Sequence, residues 1–177
     1  VVNQCDRNEV ERFTYNGHEI LWMSLNERGI GLSRNTALMR ATADIVLFAD
    51  DDVIYDDGYE KKVIDNFKKY DKKDILIFRI ESTNKDRPTK KEKKDHNLSW
   101  FNMLFGGGAK YSCGEDSIFL AGVLKAGLKV WTIPGYIGTV THGDSTWFNG
   151  YTDKYFYDKG VLMGTIFGVT AYPLVVA

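Results

Sequence analysis

Residues 45–53 read Ile-Val-Leu-Phe-Ala-Asp-Asp-Asp-Val. A short apolar run ends abruptly in three carboxylates. The run is continuous rather than alternating, so residues 45–49 are expected to form a strand buried on both faces, as in a parallel sheet. Asp50, Asp51 and Asp52 then fall at its C-terminal edge, where open α/β sheets bind ligands. Adjacent like charges repel one another. A divalent cation, which takes hard oxygen ligands, would offset that repulsion. Asp50 and Asp52, two residues apart, lie on the same side of an extended backbone. The cluster therefore reads either as a metal–nucleotide site or as a solvated acidic turn, since Asp is a common turn residue.

Strands and helices alternate around this stretch. Residues 1–4 read as a strand end and residues 19–24 as a second, outer strand. Residues 32–43 carry Leu32, Ala37, Leu38 and Ala41 near one face at helical spacing. Asp56-Asp57-Gly58 reads as a turn into a helix with Tyr59, Val63, Ile64 and Phe67 on its stripe. Residues 74–80 follow as a strand, 117–126 as a helix and 128–133 as another strand, with 137–140 apolar again. Strand, helix, strand in this order predicts an α/β fold with a mostly parallel central sheet and flanking helices.

Composition narrows the function classes. The 177 residues are 44% hydrophobic and 27% charged with net charge −1, which gives no whole-chain argument for nucleic acid. Two cysteines, Cys5 and Cys113, make neither a disulfide framework nor a zinc spacing, and they suit a reducing compartment. No run of 18 uncharged apolar residues marks a membrane span. Residues 160–177 are uncharged and largely apolar, and read as a core helix, an interfacial helix or the start of a further segment. The expected organisation is a domain over residues 1–159 and an apolar segment over 160–177, in a chain cut at both ends.

Familiar motifs fail here. Gly29-x-Gly31 lacks the third glycine of a dinucleotide fingerprint, and Arg34 stands in its place. Gly106-Gly107-Gly108 permits close backbone approach to a ligand but is no phosphate loop. Residues 50–58 do not follow the calcium-loop pattern. Residues 82–97 hold six basic side chains against three acidic ones and read as a solvated, mobile loop, or as a contact for an anionic acceptor or membrane surface. Asp6 reads as a nucleobase or ribose contact, or as a loop aspartate. Arg34, whose guanidinium matches phosphate geometry, reads as a diphosphate contact or a solvated helix residue. Glu115 and Asp116 sit where the macrodipole favours negative charge, so capping alone would explain them. His142 follows a strand and reads as structural or as a metal ligand.

Taken together, these segments resemble the family-2 glycosyltransferases of the GT-A fold. A helix carrying Ser33-Arg34-Asn35 precedes the strand into Asp50-x-Asp52, and Gly114-Glu115-Asp116 opens a later helix. Residues 105–120 and Ser145-Thr-Trp-Phe-x-Gly-Tyr are similar to bacterial members that build capsular or exopolysaccharide chains. The resemblance implies an inverting, metal-dependent transfer from a nucleotide-sugar donor, typically a UDP-sugar, to a glycan or lipid-linked acceptor. It implies Mg²⁺ or Mn²⁺ held by Asp52 with His142, and donor contacts from Asp6, Arg34, Asp50 and Asp51. Asp116 would deprotonate the acceptor, with Glu115 beside it. It implies a cytoplasmic protein, with peripheral contact at the inner face of the membrane. It also implies that the first strand of the fold precedes Val1. Rival readings are an acidic-pocket domain of receiver type, an inactive transferase and a nucleotidyltransferase. Asp6 alone and Lys129 inside a strand fit the receiver pattern badly, and no Gly-rich basic loop of the nucleotidyltransferase kind is seen.

Overall fold

A computed structural model describes residues 1–82, 100–140 and 150–172. Most of the basic run 82–97, His142, residues 145–149 and the end of the apolar stretch 160–177 lie outside the described residues. The chain divides into two compact units. One is Val1–Val46 with Trp100–Phe119 and Trp147–Ala177, and the other is Leu47–Ser99 with Leu120–Thr146.

In the first unit, β1 (Val2–Gln4), β2 (Glu9–Tyr15) and β3 (His18–Leu25) form a sheet in the order β1-β3-β2. β1 runs parallel to β3, with Val2 opposite Met23, and β2 runs antiparallel to it. Asn16 and Gly17 take φ of 48° and 81°, the paired positive values of a two-residue hairpin turn. β3, expected at an edge, is therefore central: the Asn16-Gly17 hairpin folds β2 against its other side. Met23 and Ser24 on β3 are buried.

α1 (Ile30–Leu38) is shorter than the expected 32–43. Its last turn tightens, with Arg40 N donating to Ala37 O and Ala41 N to Leu38 O over three residues, and the helix stops. At its start, Ile30 N donates to Gly107 O at 3.1 Å, satisfying one of the donors that a helix N-terminus leaves open. α4 (Asp153–Phe167) is capped by Thr152, whose hydroxyl accepts from Tyr155 N, and a 3₁₀ turn over Gly168–Ala171 follows.

In the second unit, β4 (Val53–Tyr55), β5 (Ile75–Ser82) and β6 (Val130–Val140) form a sheet in the order β4-β6-β5. β5 is parallel to β6 and β4 antiparallel. α2 (Tyr59–Lys69) buries Val63, and Lys62 donates to the Tyr136 carbonyl of β6. The apolar stretches 128–133 and 137–140 merge into one strand through Pro134. That proline falls where the β5–β6 register slips between Thr132 and Tyr136, so its missing N–H interrupts no regular ladder position. α3 (Glu115–Lys125) begins in the first unit, and its Val123 is fully buried.

Two expectations differ from what the structure describes. Among the described residues, each unit has its own three-stranded mixed sheet, and no single mostly parallel layer is seen. Residues 45–49 are not a strand buried on both faces. They join no ladder, and Val46, Leu47 and Phe48 are 42%, 38% and 37% exposed. A strand is held by hydrogen bonds to a neighbouring backbone, and among the described residues no strand pairs with this run. Also among the described residues, no helix is long and apolar enough to cross a membrane.

β4 follows the acidic triplet directly, and Gly138 on β6 lets it approach. A Cβ on Gly138 would lie 2.5 Å from Ile54 O. Gly138→Ala is expected to cost about 1–3 kcal/mol by overpacking against backbone that cannot give way. Urea denaturation measures this as a lower midpoint at unchanged m-value.

Candidate active site

In the first unit, the N-terminus of α3 holds the candidate acid–base pair. Glu115 is 9% exposed, whereas the Asp116 side chain is 64% exposed. One arginine serves both. Arg34 on α1 places Nη1 3.4 Å from Glu115 Oε1 and also pairs with Asp116 Oδ1. Its guanidinium lies 5.1 Å from the centroid of the Phe101 ring, within cation–π range. Phe101 stacks on Phe119 with centroids 4.2 Å apart. Arg34 is therefore confined between an aromatic face and two carboxylates.

Asn35 and Gly106, noted in the sequence only as members of their motifs, support this arrangement. Asn35 pairs with the Phe101 backbone in both directions: Nδ2 donates to Phe101 O at 2.8 Å, and Oδ1 accepts from Phe101 N at 2.9 Å. A side-chain amide here does the work of a strand partner, tying the backbone at Phe101 to α1. Gly106 supplies the space for Glu115. A Cβ there would lie 2.4 Å from Ile30 Cγ2 and 2.8 Å from the Glu115 carboxyl carbon, and its φ of 103° also favours glycine. The triple glycine was legible as a place of close approach. At Gly106 what approaches is the chain's own carboxylate and Ile30.

Burial pushes the Glu115 carboxyl above the ordinary value, and the Asp116 charge pushes it further. The backbone N–H groups of Glu115 and Gly114 and the Arg34 charge pull the other way without cancelling the rise. Glu115 thus holds a proton more firmly than a surface glutamate. Asp116, beside it and paired with Arg34, keeps its side chain 64% exposed.

The acidic triplet lies in the second unit. Asp50, Asp51 and Asp52 are all exposed, in a turn that leads into β4. Burial raises the Tyr55 hydroxyl's proton affinity, and the charges of Asp50, Tyr59 and Asp52 add to it. Their oxygen donors suit Mg²⁺ or Mn²⁺. Among the described residues, no three His, Cys, Asp or Glu side chains come together to hold an ion. Mg²⁺ is commonly held by one or two carboxylates plus substrate phosphates and water, and a short acidic turn fits that arrangement. Asp6 is exposed in the bend after β1, where Arg7 and Glu9 form a surface ion pair at 2.9 Å.

A family model described as Glycosyl transferase family 2 matches residues 7–132. No curated protein and no solved structure matches.

The burial of Glu115 has a signed consequence. Its folded-state value lies above its unfolded one, so its stabilising contribution is present below the unfolded value and is lost as pH rises through the folded one. Charging the buried group as pH rises therefore costs stability. Glu115→Gln is expected to raise the melting temperature at pH 7, with the gain shrinking as the pH is taken down through the carboxylate range. Calorimetry across pH measures it. Gly106→Ala is expected to lower the melting temperature and displace the Glu115 carboxyl, which a carboxyl NMR titration reads as a changed midpoint.

Proposed function

The chain belongs to glycosyl transferase family 2, and on that premise we propose an inverting transfer of a sugar from a nucleotide donor, a UDP-sugar, to an acceptor hydroxyl in bacterial capsular or exopolysaccharide synthesis. The observation that carries the reading is the Arg34-bound Glu115–Asp116 pair at the start of α3, inside the matched span. Inversion by direct displacement needs a base on the acceptor side. Asp116 is exposed and takes the acceptor proton. Glu115, held firmly by burial, sets the charge beside it.

Negative charge grows on the departing nucleoside diphosphate. A bound Mg²⁺ or Mn²⁺ supplies the charge that offsets it. Asp52 is the proposed ligand, with His142. Asp50 and Asp51 contact the donor, and Asp6 meets the base. Arg34 has the fork geometry that diphosphates favour. Its two carboxylate partners compete with a diphosphate for that fork, so arrival of a donor would loosen Asp116 for the acceptor. The proposed acceptor is a glycan or a lipid-linked sugar, and the proposed location is the cytoplasm, with peripheral contact at the inner face of the membrane for a lipid-linked acceptor.

A thermal-shift screen of nucleoside diphosphates with and without Mn²⁺ tests the donor side. UDP is expected to raise the melting temperature only when the metal is present, and Asp52→Ala to abolish that shift; an unaltered shift in the variant removes Asp52 as ligand. Asp116→Asn is expected to keep UDP affinity and lose transfer by roughly 10²-fold or more. Full activity in that variant would remove Asp116 from the reaction.

A further inference from the structure

Three contacts join α4 to the chain just ahead of Glu115. Asp158 is 1% exposed, and its Oδ2 accepts from Ser112 N at 3.0 Å, Ser112 Oγ at 2.7 Å and Lys154 Nζ at 2.6 Å. One turn further along α4, Leu162 fills the space beside Gly114, where a Cβ would lie 2.6 Å from Leu162 Cδ1. Gly114 takes φ of 106°, a conformation that other residues rarely adopt. Ser112 and Gly114 lead straight into the first turn of α3. Lys154 also donates to Lys110 O at 3.2 Å, so the approach to Glu115 is held at residues 110, 112 and 114.

Asp158 is an expensive way to hold a loop. Its Oδ1 is buried with no hydrogen-bond partner among the described residues. Burial alone would raise its proton affinity, but Lys154 and the two Ser112 donors hold it below the ordinary carboxylate value, so it stays ionised. A leucine would pack α4 here without burying a charge. A charge that accepts from both the backbone and the hydroxyl of one residue gives direction as well as attraction.

We propose that Asp158 is a positioning residue: through Ser112, and with Leu162 against Gly114, it fixes the first turn of α3 so that Glu115 sits over Gly106 and Asp116 faces the acceptor. The functional half rests on the transferase reading; the placement of Glu115 does not.

The test compares Asp158→Ala, Asp158→Asn, which keeps an acceptor oxygen for Ser112, and Thr165→Ala as a control elsewhere on α4. Three quantities are read: UDP affinity, the rate of transfer at saturating donor, and the NMR titration midpoint of the Glu115 carboxyl. The charges acting on Glu115 are those of Asp116 and Arg34, so a changed midpoint reports movement of the carboxyl relative to them. Asp158→Ala is expected to keep UDP affinity within about twofold, slow transfer by roughly 10-fold or more, as small misplacements of reacting groups do, and move the midpoint. Asp158→Asn is expected to recover most of both, and the control to change neither. A folded Asp158→Ala with an unmoved midpoint and normal transfer overturns the proposal. Loss of UDP affinity in step with transfer also overturns it, because that is general damage. Should Asp158→Ala fail to fold, Ser112→Ala carries the same readouts. Should the native protein transfer no sugar, the transferase reading falls, and the Glu115 midpoint alone decides whether Asp158 positions it.

Discussion

A carboxylate taken out of water at the start of a helix constrains everything around it. Glu115 loses hydration, which raises the free energy of its charged form. Arg34, the α3 dipole and two backbone donors each return part of that cost, and each must be in place to do so. Arg34 needs the Phe101 face behind it, and Phe101 is held by the Asn35 amide and the Phe119 ring. Gly106 must lack a side chain for the carboxyl to fit. One buried charge thus ties α1, the glycine loop and α3 into a single mechanical problem. Asp116, next along the helix, inherits the resulting geometry while remaining in solvent.

The second unit handles its acids the opposite way. Asp50–Asp52 are left in water, where repulsion among them is screened. Their placement depends on the backbone that follows, through the short β4 ladder and the glycine that lets it close on β6. An exposed acidic turn leaves its carboxylate oxygens open to solvent, where a hard cation could reach them. The two acidic clusters are therefore built differently: one holds a buried carboxyl whose proton affinity is raised, and the other leaves all three of its carboxylates in solvent.

Much of this could be read from residue types alone. The stripe Tyr59, Val63, Phe67 gave α2 its place, and Gly114-Glu115-Asp116 before an apolar run marked the start of α3. Asn16-Gly17 is a hairpin signal that went unread, because Val10, Phe13 and Tyr15 in residues 9–15 break the alternation that would have marked a strand. What could not be read was pairing. Residues 45–49 have the composition of a central strand, but strandhood is a relation between two backbones, and the run shows only one of them. The same holds for Arg34: its chemistry suits a phosphate or a carboxylate equally, and which one it meets is decided by residues 81 and 82 positions away. Asp158 was invisible because nothing in the helix pattern of α4 distinguishes a buried aspartate from a solvated one.

Among the described residues, β2 closes its sheet on one side and bonds to β3 on the other, with all seven of its residues exposed. Such a border offers a second molecule the same row of amides and carbonyls that β3 uses. Val10, Phe13 and Tyr15 would favour that union, while Glu9, Glu11 and Arg12 interrupt it. Union of two copies along this border would lengthen the sheet from three strands to six, with the charged side chains of β2 as the opposing element.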